Sequence, residues 1–249
     1  MENLYICFFF FIVSILYSSV GFGGGSSYLA ILALTGIVFT QIRATALLCN
    51  IVVVSGNVLL YQQQKKLDWK KIIPLVLLSV PFAFLGGYLK ISQQFFFVLL
   101  GVTLLFAAIT MWLSKKIINT NKKMNAKSTF KNSSLGGAIG FISGVVGIGG
   151  GIFLAPLLHL TNWDTPKKIA ATASVFIFVN SIAGLFGQYS NPDFMIDWNL
   201  TSIVLITVFI GGQIGSRIST KRFTPIQLKK ATAILIAFVS IRILIKYLF

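Results

Sequence analysis

The chain has 249 residues, of which 56% are hydrophobic and only 10% charged, with a formal net charge of +16. A soluble domain carries about 25% charged residues, so a water-soluble enzyme is excluded, and so is a nucleic-acid partner for the positive charge. The charges sit in short clusters between long apolar runs, which makes the lipid bilayer the partner and a multi-pass cell-membrane protein the expectation.

Leu4–Ile42 carries no charge. The start has no Lys or Arg ahead of Phe8–Phe11, so it reads as a first membrane helix and not as a cleaved leader. Within this run stands Gly21-Phe22-Gly23-Gly24-Gly25-Ser26-Ser27. A glycine inside a helix costs about 1 kcal/mol against alanine, so this segment is expected to unwind. Unwound backbone in lipid is tolerated only where protein buries it or where it lines a cavity. Ala44–Gln64, Ile72–Leu89 and Ile91–Ser114 follow, each near the length of a spanning helix. They complete a first membrane repeat over 1–114. Arg43 stands between two apolar runs and is expected to snorkel to the interface, with attraction of an anion as the alternative.

Residues 115–132 form a basic linker, with Lys115, Lys116, Lys122, Lys123, Lys127 and Lys131 and no acid, and they are placed in the cytoplasm. The second membrane repeat, 133–249, opens on the long run Asn132–Trp163, which holds Gly147-Ile148-Gly149-Gly150-Gly151. His159, the single histidine, ends that run and reads as interfacial. Ile169–Pro192, Trp198–Ser216 and Ala231–Phe249 are the remaining spans, the last holding Arg242 and Lys246. Cys7 and Cys49 lie inside apolar runs and imply neither a disulfide nor a metal motif.

The two halves correspond in order. Gly23-Gly24-Gly25 answers Gly149-Gly150-Gly151, Ala44-Thr45-Ala46 answers Ala171-Thr172-Ala173, Asp68-Trp69 answers Asp197-Trp198, and Gly86 answers Gly215. The fold class is therefore all-α: a polytopic membrane protein of two pseudo-symmetric repeats with glycine-broken or re-entrant segments. Length alone leaves Leu4–Ile42 as two passes, a re-entrant pair or one strongly bent pass. The first two give odd halves and an inverted repeat, the third a parallel one. Odd halves put 17 of the 21 Lys and Arg residues on the side of the linker, whereas four crossings per half would put 12 there. The positive-inside rule selects inversion. It sends Tyr189–Asn199, Arg242 and Lys246 to the outer side.

Inverted breaks would enter from opposite faces and meet near the midplane. Each leaves unpaired N–H groups at the start of a half-helix, where anions bind. The candidate substrate site is Gly23, Gly24, Gly25, Ser26, Ser27 and Thr45 in the first half, with Gly149, Gly150, Gly151, Thr172 and Ser174 in the second. Backbone amides and hydroxyls suit a small anionic substrate. The competing reading is that small residues let helices pack closely, and it is the one adopted for Gly86-Gly87 and Gly211-Gly212. Hydroxyls can also bond the preceding helical turn. All five acids lie at the start of the chain or in loops, so no carboxylate relay is expected within a span. No GxSxG, HExxH, Walker or CxxC pattern occurs, so neither an enzyme nor a cofactor is expected. An anion channel and a structural membrane subunit remain alternatives to a carrier. The pattern does not specify an oligomeric state.

Over essentially its whole length the chain resembles the TauE/SafE sulfite exporter family, also called the 4-toluene sulfonate uptake permeases. The resemblance is carried by Gly147-Ile148-Gly149-Gly150-Gly151 followed by Pro156, by Ala171-Thr172-Ala173-Ser174, and by the weaker first copy Gly21-Phe22-Gly23-Gly24-Gly25. It implies an integral membrane protein that moves small anions, often sulfur-containing ones such as sulfite, sulfonates or sulfoacetate. The first copy departs from the second, with Ala30 where the second has Pro156 and Leu47 where it has Ser174. The resemblance thus implies two half-sites that contribute unequally.

Overall fold

The uncharged runs become helices, and the glycine clusters and charged segments become the joints between them. The structure is a computed structural model that describes residues 2–113, 128–161, 163–192, 194–218 and 225–248. Of the linker placed at 115–132, residues 115–127 lie outside the described residues, and a helix already begins at Ser128.

In chain order the helices are α1 (Glu2–Ser19), α2 (Gly25–Ala33), α3 (Phe39–Gln63), α4 (Trp69–Tyr88) and α5 (Gln93–Leu113), then α6 (Ser128–Val146), α7 (Gly151–Leu160), α8 (Pro166–Tyr189), α9 (Trp198–Ile218) and α10 (Pro225–Leu248). No strand occurs among the described residues. Five of these helices are long and apolar enough to cross a membrane: α3, α4, α5, α8 and α9. The chain is a multi-pass membrane protein.

Each glycine cluster splits one long apolar run into a long helix and a short one. α2 has 9 residues and α7 has 10, or about 15 Å at 1.5 Å per residue, half of a bilayer core. α2 begins beside Asn50, half-way along α3, and ends at the short turn that leads into the start of α3. It therefore runs back along the first half of α3. Leu4–Ile42 is thus a long helix, a half-length return and the start of a third helix.

Close backbone packing holds the long helices together. On α6, Gly136, Gly140 and Gly144 press against the backbone of Leu75, Ser79 and Ala83 on α4, in that order. The two helices therefore run parallel, and a Cβ at any of the three positions would overlap a carbonyl oxygen. The spacing of four residues puts the glycines on one face. Gly211 and Gly215 on α9 pack in the same way on Phe11 and Ile15 of α1. Gly86 and Gly87 meet the backbone of Phe141 and Gly184. The positions assigned to packing, Gly86-Gly87 and Gly211, do pack backbone on backbone. Gly212 also lies on another helix, where a Cβ would stand 3.5 Å from the Cα of Val53.

Polar contacts identify two ends of the bundle. At the first end, Lys71 Nζ is 2.6 Å from Asp164 Oδ2 and stands over the Trp163 ring, and Lys168 joins the same carboxylate at 3.8 Å. Burial acts to raise the Asp164 carboxyl, but the Lys71 hydrogen bond, the Thr165 N–H and the two lysine charges outweigh it and hold the group below the usual carboxylate range. Ser133 Oγ donates to Pro74 O, so α6 starts at this end too. At the second end Asn191 Nδ2 donates to Tyr88 O, and Tyr247 stacks on Phe97 while its carbonyl accepts from Gln94. The segment 161–168 and the start of α6 thus share one end. The segment 189–199 and the end of α10 share the other, together with the start of α5.

Candidate substrate-binding cavity

Gly24 and Gly150 precede α2 and α7 and have φ of 90° and 81°. That left-handed conformation costs an L-residue roughly 1–2 kcal/mol, so glycine is what allows the sharp reversal into each short helix. The two reversals are fastened to each other by one side chain. Asn50 Oδ1 accepts the Gly25 N–H at 2.8 Å, and Asn50 Nδ2 donates to Ile148 O at 2.8 Å. Asn50 is fully buried and sits half-way along α3. The breaks therefore converge at the middle of the longest helix.

A cavity with about 460 Å³ of empty volume opens at this junction. One wall is polar: Tyr17, Ser26, Asn50 and the backbone of Gly23, Gly24 and Gly25. The other is apolar, with Phe22, Ile148, Ile152, Ala155, Pro156 and Ile177 around Gly151. Tyr17 Oη lies 2.8 Å from Ser27 Oγ and 3.4 Å from Ser26 Oγ, which ties α1 to the first turn of α2.

The eleven residues singled out in the sequence divide sharply. Gly23, Gly24, Gly25, Ser26 and Gly151 line the cavity. Ser27 is one bond behind it through Tyr17. Gly149 backs onto Ser181 and Asn50, and Gly150 onto Phe176, Ile139 and Ser143. Thr45 Oγ1 is 3.1 Å from Thr201 Oγ1, away from the cavity lining. Ser174 Oγ donates to Gly21 O at 2.6 Å and Ala170 O at 3.0 Å, which anchors the first break from outside. Thr172 is buried and does not line the cavity.

The two half-helix starts are unequal. At α2 the first N–H is already taken by Asn50. At α7 the space beside Gly151 is filled by the Ile177 side chain, and no hydrogen bond among the described residues takes the Gly151 N–H. The open amide end is therefore that of α7, and its dipole favours a negative group there.

Neither Asn50 nor Tyr17 is among the candidate site residues that the sequence offered. A lone asparagine inside a span was the available signal, since an amide in lipid needs a partner. For Tyr17 no signal existed. The expected snorkelling of Arg43 is corrected by the structure. Arg43 is 4% exposed, enclosed by α4, α6 and α8, because it follows the first turn of α3 on the face that packs inward. His159 is half-buried near the end of α7, at the first end of the bundle.

The family model described as Sulfite exporter TauE/SafE matches residues 6–243. The probable membrane transporter protein y4hK of Sinorhizobium fredii is 30% identical over 249 residues, covering 98% of each chain. The probable membrane transporter protein YunE of Bacillus subtilis is 26% identical and covers 72% of each chain. The probable membrane transporter protein MJ0441 of Methanocaldococcus jannaschii is 29% identical over 70% of this chain and 68% of its own. No solved structure matches the chain.

Proposed function

Since the chain belongs to the TauE/SafE sulfite exporter family, we propose that it is a secondary transporter of a small anion, bound in the cavity where the two glycine breaks meet. The observation that carries this reading is Asn50, which joins both breaks at a cavity half-way along α3. A carrier needs a central site reachable from either side, and transporter sites lie at broken helices near the midplane. The polar wall of the cavity and the open N–H end of α7 suit an oxyanion head. Its apolar wall suits a short carbon body, as in an organosulfonate such as sulfoacetate, with sulfite as the smallest member of the class.

Ala155→Leu tests this directly. Ala155 is buried and lines the cavity, so three added carbons fill the space while the helix propensity stays high. A bound ligand stabilises the native state by about 2.7 kcal/mol at a hundred times its dissociation constant. Sulfite or sulfoacetate is expected to raise the melting temperature of the wild type in detergent by several degrees. Ala155→Leu is expected to stay monodisperse and show a smaller shift. An undiminished shift in Ala155→Leu would remove the cavity as the binding site.

We further propose an inverted repeat in the cytoplasmic membrane, with the Lys71–Asp164 end facing the cytoplasm. The packing supports it, because α1 on α9 has its counterpart in α6 on α4. In a protein with Cys7 and Cys49 replaced by alanine, Lys167→Cys and Tyr189→Cys are expected to react with an impermeant thiol reagent from opposite sides. Reaction of both from the same side would reject this orientation. A negative interior drives an anion outward by about 2.3 kcal/mol per charge at 100 mV.

A further inference from the structure

A second, smaller cavity lies toward the other end of α3, lined by Thr40, Arg43, Gly87, Gln188, Asn191 and Phe194, with about 230 Å³ of empty volume. Two of its side chains are deeply buried and poorly matched to their surroundings. Arg43 is 4% exposed, and no described carboxylate pairs with it. One terminal nitrogen reaches three carbonyls, of Gly144 at 3.2 Å, Gly86 at 3.4 Å and Gly87 at 3.5 Å, all at or beyond the long limit of the usual N–H···O range. Its Nε has no partner. Gln188 is 4% exposed, and neither its amide oxygen nor its amide nitrogen has a partner.

We propose that Arg43 and Gln188 form a second anion site, which holds the oxyanion head of the substrate between the second end of the bundle and the central cavity. The proposal rests on the reading of the protein as an anion carrier. A guanidinium taken out of water is stable only with a counter-charge or full hydrogen bonding, and three long bonds to carbonyls supply neither. Its planar fork matches a sulfonate, sulfite or carboxylate group bidentately. A neutral amide beside it can donate to the same oxygens. Among the described residues that line the cavity, no other carries a charge.

The position fits a staging site. Arg43 precedes Asn50 by seven residues, two turns or about 10 Å along α3, so both lie on the same face. The Arg43 backbone packs on Gly147, where a Cβ would lie 3.2 Å from Arg43 Cα. The first break has a different neighbourhood, since Gly21 faces Tyr61 and Ala170. Among the described residues a buried cation therefore stands beside the second break and not beside the first.

Titration calorimetry of the detergent-purified protein with sulfite tests the idea. Wild type is expected to bind two sulfite ions. Gln188→Leu removes an amide that has no partner, so its melting temperature should hold or rise while affinity at one site falls about tenfold. Arg43→Gln should lose that site. Arg43→Lys, which keeps the charge and loses the fork, should retain it with weaker affinity. Ala155→Leu should lose the other site and keep this one. Loss of both ions in Ala155→Leu, or unchanged binding in both Gln188→Leu and Arg43→Gln, overturns the proposal. Two ions bound in Ala155→Leu, with one lost in Arg43→Gln, would reject the central cavity and leave the Arg43 site standing. Should Arg43→Gln fail to yield folded protein, Gln188→Leu alone decides: unchanged sulfite binding by this variant overturns the proposal.

Discussion

Asn50→Ala is expected to cost about 2–6 kcal/mol of stability, because two buried backbone groups lose their partner at once and each such loss is worth about 1–3 kcal/mol. The Gly25 N–H and the Ile148 carbonyl belong to different halves, and the Asn50 side chain bonds to both breaks. A void would also open where the amide stood, since Asn50 is fully buried. Denaturant or thermal melting of the purified protein measures the cost. Asn180→Ala is the comparison. Asn180 is equally buried, but its amide nitrogen bonds only the Phe176 carbonyl one turn back on its own helix, and its oxygen has no partner. Its removal should cost markedly less. Equal losses for the two variants would mean that Asn50 is an ordinary interior polar group and not the fastener of the breaks. Transport should vanish in Asn50→Ala even where the protein inserts, because the two half-helix starts would no longer be held at one place.

Gly150→Leu is the second large effect, and it should act on folding. Gly150 has φ of 81°, and a Cβ there would lie 2.8 Å from the Phe176 ring and 3.1 Å from Ile139. The left-handed backbone costs roughly 1–2 kcal/mol and overpacking roughly 1–3 kcal/mol, so a loss of about 2–5 kcal/mol is expected. The side chain would point into the packing between α6 and α8, not into the cavity. Melting and size-exclusion chromatography should show a destabilised or aggregated protein with no selective loss of binding. A stable Gly150→Leu that only failed to bind sulfite would show that this glycine faces the substrate. Gly150 is thus a positional device for α7, and Ala155 is the residue through which the cavity can be filled without disturbing the reversal.

The sequence was sufficient for the membrane, for the helical class, for the two breaks and for the family. These follow from quantities that are local: the length of an uncharged run, the helix-breaking tendency of clustered glycine, and a motif of fixed spacing. It also grouped the ends of the helices correctly. Lys71, Asp164 and Lys168 meet because basic clusters gather on one face, and Asn191 lies with Tyr88 at the other.

What only the tertiary structure decided is which of several similar small or polar residues faces open space. Gly23, Gly24, Gly25, Ser26 and Gly151 do. Thr45 and Ser174 have the same chemistry but turn to Thr201 and to Gly21. Periodicity cannot separate these cases, since the partly exposed stripes of α3 and α8 are largely as apolar as their buried faces and no clear polar-to-apolar contrast marks a face. The same degeneracy hid the Gly136, Gly140 and Gly144 seam, where three glycines exist for the carbonyls of another helix. Arg43 shows the limit most clearly. A cation next to an apolar run reads as interfacial when the chain is considered one helix at a time, and its burial arises only because α4, α6 and α8 close around the start of α3.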